Sequence, residues 1–319
     1  MYASKVVIVA GKGGVGKTTV GATIGLAAAR GGRDVLLVEL EGHSSLGGPF
    51  GVGPLRYEAS VLPTRGGTGR LRGRRITPDE ALIDYLAGHG LQRLTRRLVN
   101  SGAIEVVTSA APGIRDLLTL GKIRQLEQST EADLVVVDAP AAGHAVTFLR
   151  SAAGMAGAAT VGPVRDQALE ALAMLRDGSR CTVVLVTRAE ETPVTELIET
   201  AFALEEDVGV ALGPAVVNAV WPTIAGLDPD GEGGAGAEGG RAGGGSDDGL
   251  DAVTLENLRS AAAFHRARVA AQVEQLDRLA TELPLPRIVL PQVFGDRLGL
   301  DDLVLLAEAL ADQFPAVAP

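Results

Sequence analysis

The chain has 319 residues, a formal net charge of −10, 46% hydrophobic residues and only 3% aromatic residues. This length allows one large α/β domain or two small ones, and the negative charge argues against broad affinity for nucleic acids. The single cysteine, Cys181, excludes an internal disulfide and a multi-cysteine metal site, and we expect it to be a buried strand thiol. No signal peptide and no run of about 18 apolar residues is visible, so we expect a globular cytoplasmic protein.

Short apolar, β-branched runs alternate with longer helical patterns along the chain. The apolar runs predict strands covered on both faces, at residues 6–10, 35–38, 104–108, 134–137, 182–187, 215–218 and 287–290. The helical patterns predict helices at residues 17–30, 78–98, 114–128, 164–175, 193–206, 250–281 and 301–313. This alternation is typical of an α/β fold with a doubly wound, mostly parallel sheet and helices on both faces. We therefore treat residues 1–319 as a single domain.

Three segments modify this pattern. Residues 57–76 contain five arginines around a glycine-rich turn, which predicts a basic hairpin projecting from the sheet. The hairpin lacks the interleaved aromatic residues that bind nucleic-acid bases, so we expect no nucleic-acid partner. Residues 78–130 predict a small helical subdomain. Residues 225–249 are mostly Gly, Asp, Glu and Ala, and this composition predicts a flexible insertion.

The sequence GKGGVGKT at residues 11–18 lies between the first predicted strand and the first predicted helix. It matches the phosphate-binding pattern GxxxxGK[ST] in the required context. Glycines allow successive backbone N–H groups to turn towards phosphate oxygens, and the helix N-terminus adds a partial positive charge. We expect Lys17 to bridge the β- and γ-phosphates and Thr18 to ligate Mg²⁺. The expected nucleotide-binding residues of this loop are Gly11, Gly13, Gly14, Val15, Gly16, Lys17, Thr18 and Thr19.

A second lysine, Lys12, is not needed by an ordinary phosphate loop. With it, the motif resembles the deviant Walker A family, which includes MinD/ParA, the nitrogenase iron protein and the ArsA-type ATPases. In that family the extra lysine crosses a dimer interface to the partner's nucleotide. The resemblance therefore implies that Lys12 acts like an arginine finger, adding positive charge only when two subunits close.

Two acidic segments follow predicted strands at the edge where ligands bind in such sheets. Glu39 and Glu41 stand where family members usually carry Asp, and we expect Glu41 to position the attacking water and Glu39 to support Mg²⁺ or Lys17. Asp138 ends an apolar strand in the Walker B arrangement, which implies that it holds Mg²⁺ through water. The segment from Asp138 to Gly143 and His144 resembles switch II of the ArsA family, which implies an N–H contact from Gly143 to the γ-phosphate.

The resemblance extends over most of the chain and includes a site for the base. Asn218 resembles the strand-end asparagine whose amide reads the adenine edge in this family. The segment Pro291, Gln292 and Val293 stands where the family's adenine-covering loop lies.

The resemblance implies an ArsA-like ATPase that binds and hydrolyses ATP with Mg²⁺ as a dimeric, nucleotide-driven switch. One cysteine provides neither the metalloid ligands of the arsenite pumps nor the zinc-binding CxxC pairs of the targeting ATPases, so we expect no zinc and no metalloid. We expect a homodimer, or a heterodimer with a related subunit, acting on an unknown protein client. Two alternatives stay open. The chain could be a nearly inactive ATP-binding subunit of a heterodimer, or a chaperone for hydrophobic helices with an apolar groove between residues 78–98 and 114–128.

Overall fold

The computed structural model describes residues 4–40, 46–88, 90–101, 104, 113–224 and 251–317. These residues form one eight-stranded sheet whose order is β3-β4-β2-β5-β1-β6-β7-β8. Its strands are β1 (Val6–Gly11), β2 (Val35–Leu40), β3 (Ser60–Val61), β4 (Leu71–Ile76), β5 (Leu134–Ala141), β6 (Cys181–Arg188), β7 (Ala215–Val220) and β8 (Arg287–Pro291). All neighbours pair in parallel except β3 and β4, which are antiparallel. The predicted α/β fold class is thus confirmed.

Helices cover both faces of this sheet. They are α1 (Lys17–Arg30), α2 (Pro78–Gly88), α3 (Gln92–Ser101), α4 (Ile114–Gln128), α5 (Ala142–Ala158), α6 (Pro163–Arg176), α7 (Glu191–Asp207), α8 (Ala252–Glu282) and α9 (Leu300–Val317). Within the described residues, no helix has the length and apolar character needed to cross a membrane.

Alternate residues of the central strand face two separate cores. Val6 and Ile8 pack with α2, α4, α5, α6 and α7, whereas Val7 and Val9 pack with α1 and α9. All six residues of β1 are buried, which explains why its sequence is continuously apolar rather than alternating. The two cores fix β1 in the middle of the sheet and hold the loop after it at the carboxyl edge.

Two predicted elements differ from the structure. The helix predicted over residues 78–98 is two helices, α2 and α3, because Gly90 adopts a left-handed conformation with φ of 75°. Of the strand predicted over residues 104–108, only Ile104 lies within the described residues, and it is helical. A short apolar run does not by itself distinguish a strand from a buried helical segment.

The basic segment contains the predicted hairpin, but the hairpin extends the edge of the sheet and does not project from it. Its strand β4 pairs in parallel with β2, and the short β3 pairs with the outer side of β4. The reason is that its arginines have partners in the body of the protein. Arg70 pairs with Asp34, Arg72 donates to the carbonyl of Glu131, and Arg74 is buried with its guanidinium 4.5 Å from the ring centroid of Tyr57.

The described leucines of α2 and α4 belong to the core. Leu82, Leu86, Leu117 and Leu118 are all at most 8% exposed and pack in the cluster beneath the sheet. These leucines therefore contribute to the core, and Leu118 also lines a cavity of about 480 Å³ between α2, α4 and α6.

Candidate functional site

The phosphate-binding loop connects β1 to α1, as the sequence predicts. Gly16, just before the helix, has φ of 91°, a left-handed conformation that favours glycine. Lys17 begins α1, is only 8% exposed, and donates from Nζ to the carbonyl oxygen of Lys12 at 3.1 Å. Burial lowers the pKa of Lys17, while the Asp138 carboxylate acts in the opposite direction. The loop therefore holds a desolvated ammonium that a bound anion would stabilise.

Two oxygen-bearing side chains meet beside this lysine, and a third lies on the neighbouring strand. The Thr18 hydroxyl donates to Oδ2 of Asp138 at 2.6 Å, which ties the start of α1 to the end of β5. Glu39 on β2 is the register partner of Asp138, is 1% exposed, and accepts the backbone N–H of Leu46 at 3.0 Å. Hydroxyl and carboxylate oxygens are the donors that hard divalent cations prefer. The described residues contain no cluster of three or more His, Cys, Asp or Glu that could bind a metal on its own.

Lys12 points away from this group. Its Nζ donates to Oε1 of Glu196 on α7 at 2.6 Å, and both side chains are about one third exposed. The two lysines of the loop thus have different surroundings, because Lys17 is enclosed and Lys12 lies in an ion pair at the surface.

A cleft of about 240 Å³ lies on the other side of the loop. We call it the β7–β8 cleft, and its lining includes Gly14, Val15, Gly16, Thr19, Asn218, Pro291, Gln292 and Val293. A cavity that encloses a drug-sized ligand measures roughly 300 Å³ or more, so this one suits part of a nucleotide. The sequence placed all eight of these residues in the nucleotide site, and the structure brings them together.

Asn218 joins this cleft to the phosphate-binding loop. Its Nδ2 donates to the carbonyl oxygen of Val15 at 2.9 Å, and the side chain is 8% exposed. The next residue, Ala219, has φ of 58°, and the pairing of β7 with β8 shifts register at this point. A non-glycine residue with this conformation is strained, and such strain concentrates at functional sites. The irregularity places both residues in the wall of the cleft.

The remaining predicted residues have different positions. Gly143 and His144 are exposed in the first turn of α5, directly after β5. Glu41 lies outside the described residues, immediately after the last residue of β2. Gly13 belongs to the loop itself, and Gly11 ends β1, where an added Cβ would lie 2.3 Å from the carbonyl oxygen of Val186.

Sequence reasoning assigned no role to two residues that the structure brings to the site. Glu196 pairs with Lys12, and Arg188 lines the β7–β8 cleft at the end of β6. The only sequence signal for Arg188 is its place at the carboxyl end of a parallel strand, where ligands bind in such sheets. For Glu196 the sequence gives even less indication of a role, since it lies on a helix 184 residues along the chain from Lys12.

The parallel sheet, the glycine-rich loop opening α1 and the Thr18–Asp138 contact define a P-loop nucleotide-binding protein. Residues 4–160 match the family described as anion-transporting ATPase. The chain is 33% identical to ATPase BagA of Mycobacterium tuberculosis over 96% of this chain and 92% of that protein. The chain therefore belongs to the ArsA-like family of P-loop ATPases, whose members hydrolyse ATP.

Two further relatives show the breadth of this family. A putative arsenical pump-driving ATPase of Halobacterium salinarum is 24% identical over 92% of this chain, which corresponds to 42% of that protein. ATPase get3 of Schizosaccharomyces japonicus is 28% identical over 46% of this chain and 43% of its own length.

Proposed function

We propose that this ATPase uses Mg-ATP to drive a dimeric switch that acts on a protein partner. The observation that carries the proposal is the separation of the two loop lysines. Lys17 is enclosed beside Asp138, whereas Lys12 pairs with Glu196 at the surface. A lysine outside the phosphate cradle contributes to hydrolysis in its own subunit only by moving, but it is well placed to enter the site of a second subunit.

The proposed cation site consists of Thr18, Asp138 and Glu39. Their oxygen atoms suit Mg²⁺, which binds through few protein ligands and keeps several waters. When bound, Mg²⁺ neutralises charge on the phosphate oxygens during transfer. The other contacts come from side chains of the protein: Lys17 bridges the β- and γ-phosphates, and Asp138 orients the Thr18 hydroxyl.

We propose two further groups around the γ-phosphate. Glu41 would accept a proton of the attacking water and orient it, since it follows β2 directly at the carboxyl edge of the sheet. Gly143 would donate its backbone N–H, because it lies in the first turn of the 17-residue helix α5, where N–H groups are unpaired and the helix dipole favours anions.

In this proposal Lys12 provides the link between ATP and assembly. Its charge stabilises the transferring phosphoryl group only while the partner subunit is closed, so turnover and dimerisation depend on each other. When the partner dissociates after hydrolysis, the Lys12–Glu196 ion pair would form again. Both a homodimer and a heterodimer with a related ATPase subunit fit this scheme.

The experiment measures phosphate release and molecular mass in parallel, by sedimentation, with ATP and Mg²⁺, with ADP, and without nucleotide. We expect a dimer only with ATP and Mg²⁺, and specific activity that rises with protein concentration. Glu41→Ala should retain the ATP-dependent dimer and lose turnover. A protein that stays monomeric with ATP and hydrolyses it at a concentration-independent rate would overturn the proposal. A wild type that binds ATP but releases phosphate only with a related subunit would favour the heterodimer.

A further inference from the structure

Arg188 ends β6 beside the nucleotide site. It is the register partner of Asn218 on β7, and both side chains line the β7–β8 cleft. Register partners on parallel strands lie about 4.8 Å apart and point to the same face of the sheet. Arg188 is therefore the immediate neighbour of the asparagine to which the nucleotide base is assigned.

The guanidinium of Arg188 has an unused donor at Nε. Its Nη2 lies 3.2 Å from Oε1 of Glu190, which fixes the outer end of the side chain. Its Nε is buried and has no hydrogen-bond partner among the described residues. A buried N–H without an acceptor carries a desolvation penalty, and a ligand that brings an acceptor removes that penalty.

The amide of Asn218 supplies the complementary group. Its Nδ2 donates one of its two hydrogens to the carbonyl oxygen of Val15. The same nitrogen also lies against Gly16, where an added Cβ would be 2.2 Å away, so the amide is oriented with Nδ2 towards the loop, and Oδ1 is the atom it offers to a ligand as an acceptor. An acceptor on Asn218 therefore lies next to the unused donor of Arg188, which a small rotation of the arginine side chain would expose to the cleft.

This pair of groups matches adenine. Its 6-amino group is a donor, and it is flanked by the ring nitrogens N1 and N7, which are acceptors. Guanine has an acceptor oxygen at position 6, which would face the Asn218 oxygen. The order of acceptor and donor in the cleft therefore favours adenine over guanine.

We infer that Arg188 is a base-reading residue, whose Nε donates to a ring nitrogen of adenine while Asn218 Oδ1 accepts from the 6-amino group. The inference rests on the proposed nucleotide site and deepens it, because it explains the choice of base. Glu190 is then a positioning residue. It holds Arg188 and also Arg268, whose Nη2 lies 2.5 Å from the same oxygen.

A spectroscopic reporter lies next to the residues that line the cleft. Trp221, the single tryptophan of the chain, follows β7 directly, and its ring lies 5.3 Å from that of Phe294, the residue after Val293. The Arg268 guanidinium lies 5.9 Å from the Trp221 ring centroid. Occupation of the cleft should therefore change tryptophan fluorescence.

The test measures the Kd of ATP, 7-deaza-ATP, 1-deaza-ATP and GTP by Trp221 fluorescence and by calorimetry. The wild type should bind one of the two deaza analogues about fivefold to tenfold more weakly than ATP, as expected for one lost hydrogen bond, and GTP more weakly still. Arg188→Ala should weaken ATP binding by a similar factor and bind ATP and both analogues equally well. It should raise the KM for ATP more than it lowers kcat.

Two controls separate this role from a structural one. Arg259→Gln removes the same charge from an exposed position on α8 and should retain the wild-type discrimination. Arg188→Lys keeps a donor and should therefore recover part of the discrimination between ATP and the deaza analogues that Arg188→Ala loses. Equal binding of ATP and both deaza analogues by the wild type, or a deaza penalty that persists in Arg188→Ala, would overturn the inference while leaving the ATPase proposal intact. A wild type that fails to bind ATP would instead overturn the proposed function.

Discussion

The ammonium nitrogen of Lys12 lies 2.6 Å from Oε1 of Glu196, a residue 184 positions further along the chain. The exposed fractions of the two side chains are 36% and 37%, so water screens the pair. Exposed ion pairs of this kind stabilise a fold by at most about 1 kcal/mol. The contact is therefore strong enough to orient Lys12 and weak enough to be exchanged for a phosphate of a second subunit.

Substitution of Glu196 by Gln should free Lys12 for the partner. We expect ATP-dependent activity to reach its half-maximum at a protein concentration lower by up to about fivefold, since the weak pair no longer competes. The free energy of unfolding should change by no more than about 1 kcal/mol. Phosphate release across a dilution series measures the first effect. Glu199→Gln, an exposed glutamate on the same helix, is the control, and identical dilution curves for all three proteins would contradict the prediction.

Asp138→Asn should impair the cation site without unfolding the chain. The amide keeps a partner for the Thr18 hydroxyl but removes the charge beside Lys17. We expect kcat to fall by at least about 100-fold and the Mg²⁺ concentration for half-maximal activity to rise. A Mg²⁺ titration of phosphate release measures both, with the exposed Asp166→Asn as the control. An unchanged Mg²⁺ requirement would show that Asp138 does not serve the cation.

Gly16→Ala tests the link between the phosphate-binding loop and Asn218. A Cβ at Gly16 would lie 2.2 Å from Nδ2 of Asn218, and the residue has φ of 91°. The substitution should destabilise the protein by about 1–3 kcal/mol and weaken ATP binding, because Asn218 has to move. Denaturant unfolding and calorimetry measure the two effects. At Gly53 an added Cβ meets nothing within 4 Å, so Gly53→Ala should resemble the wild type in both assays.

The thiol of Cys181 should be inert in the folded protein. It is 0% exposed on β6, and burial raises its pKa to about 12. Because only the thiolate reacts, a thiol reagent at pH 8 should modify Cys181 only after unfolding. Above about pH 8.5 the unfolded state loses this proton first, so rising pH should destabilise the folded state. Rapid labelling of the native protein at pH 8 would refute the burial of this side chain.

Much of the fold follows from local sequence signals. Continuous apolar runs identified β1, β2, β5, β6, β7 and β8, because a strand covered on both faces needs apolar residues at every position. The expected burial of Cys181 is confirmed for the same reason. Helix α5 was missed, since its many Ala and Gly residues obscure the helical period. The strand predicted over residues 104–108 was wrong at Ile104, its one described residue, because β-branched residues also pack in helices.

The site could be predicted only in part. A motif with fixed spacing predicted the loop at residues 11–18, the end of an apolar strand predicted the role of Asp138, and the family resemblance predicted that of Asn218. The sequence could not show that Lys12 pairs with Glu196, since side chains on distant elements meet only through the folded sheet. It also could not show the unpaired Nε of Arg188, because an unsatisfied donor is a property of packing rather than of residue type.

The central claim is that Lys12 acts across a dimer, and mixing two inactive variants tests it most directly. A Lys12→Ala subunit has an intact cation site of its own but cannot provide Lys12 to its partner. An Asp138→Asn subunit has a defective cation site but can provide Lys12 to its partner. Each variant alone should hydrolyse ATP slowly while still binding it. An equal mixture should recover about a quarter of the wild-type activity, since half of randomly paired dimers contain one complete site. A mixture no more active than its components would contradict the account, because a lysine acting within its own subunit cannot be supplied by a partner.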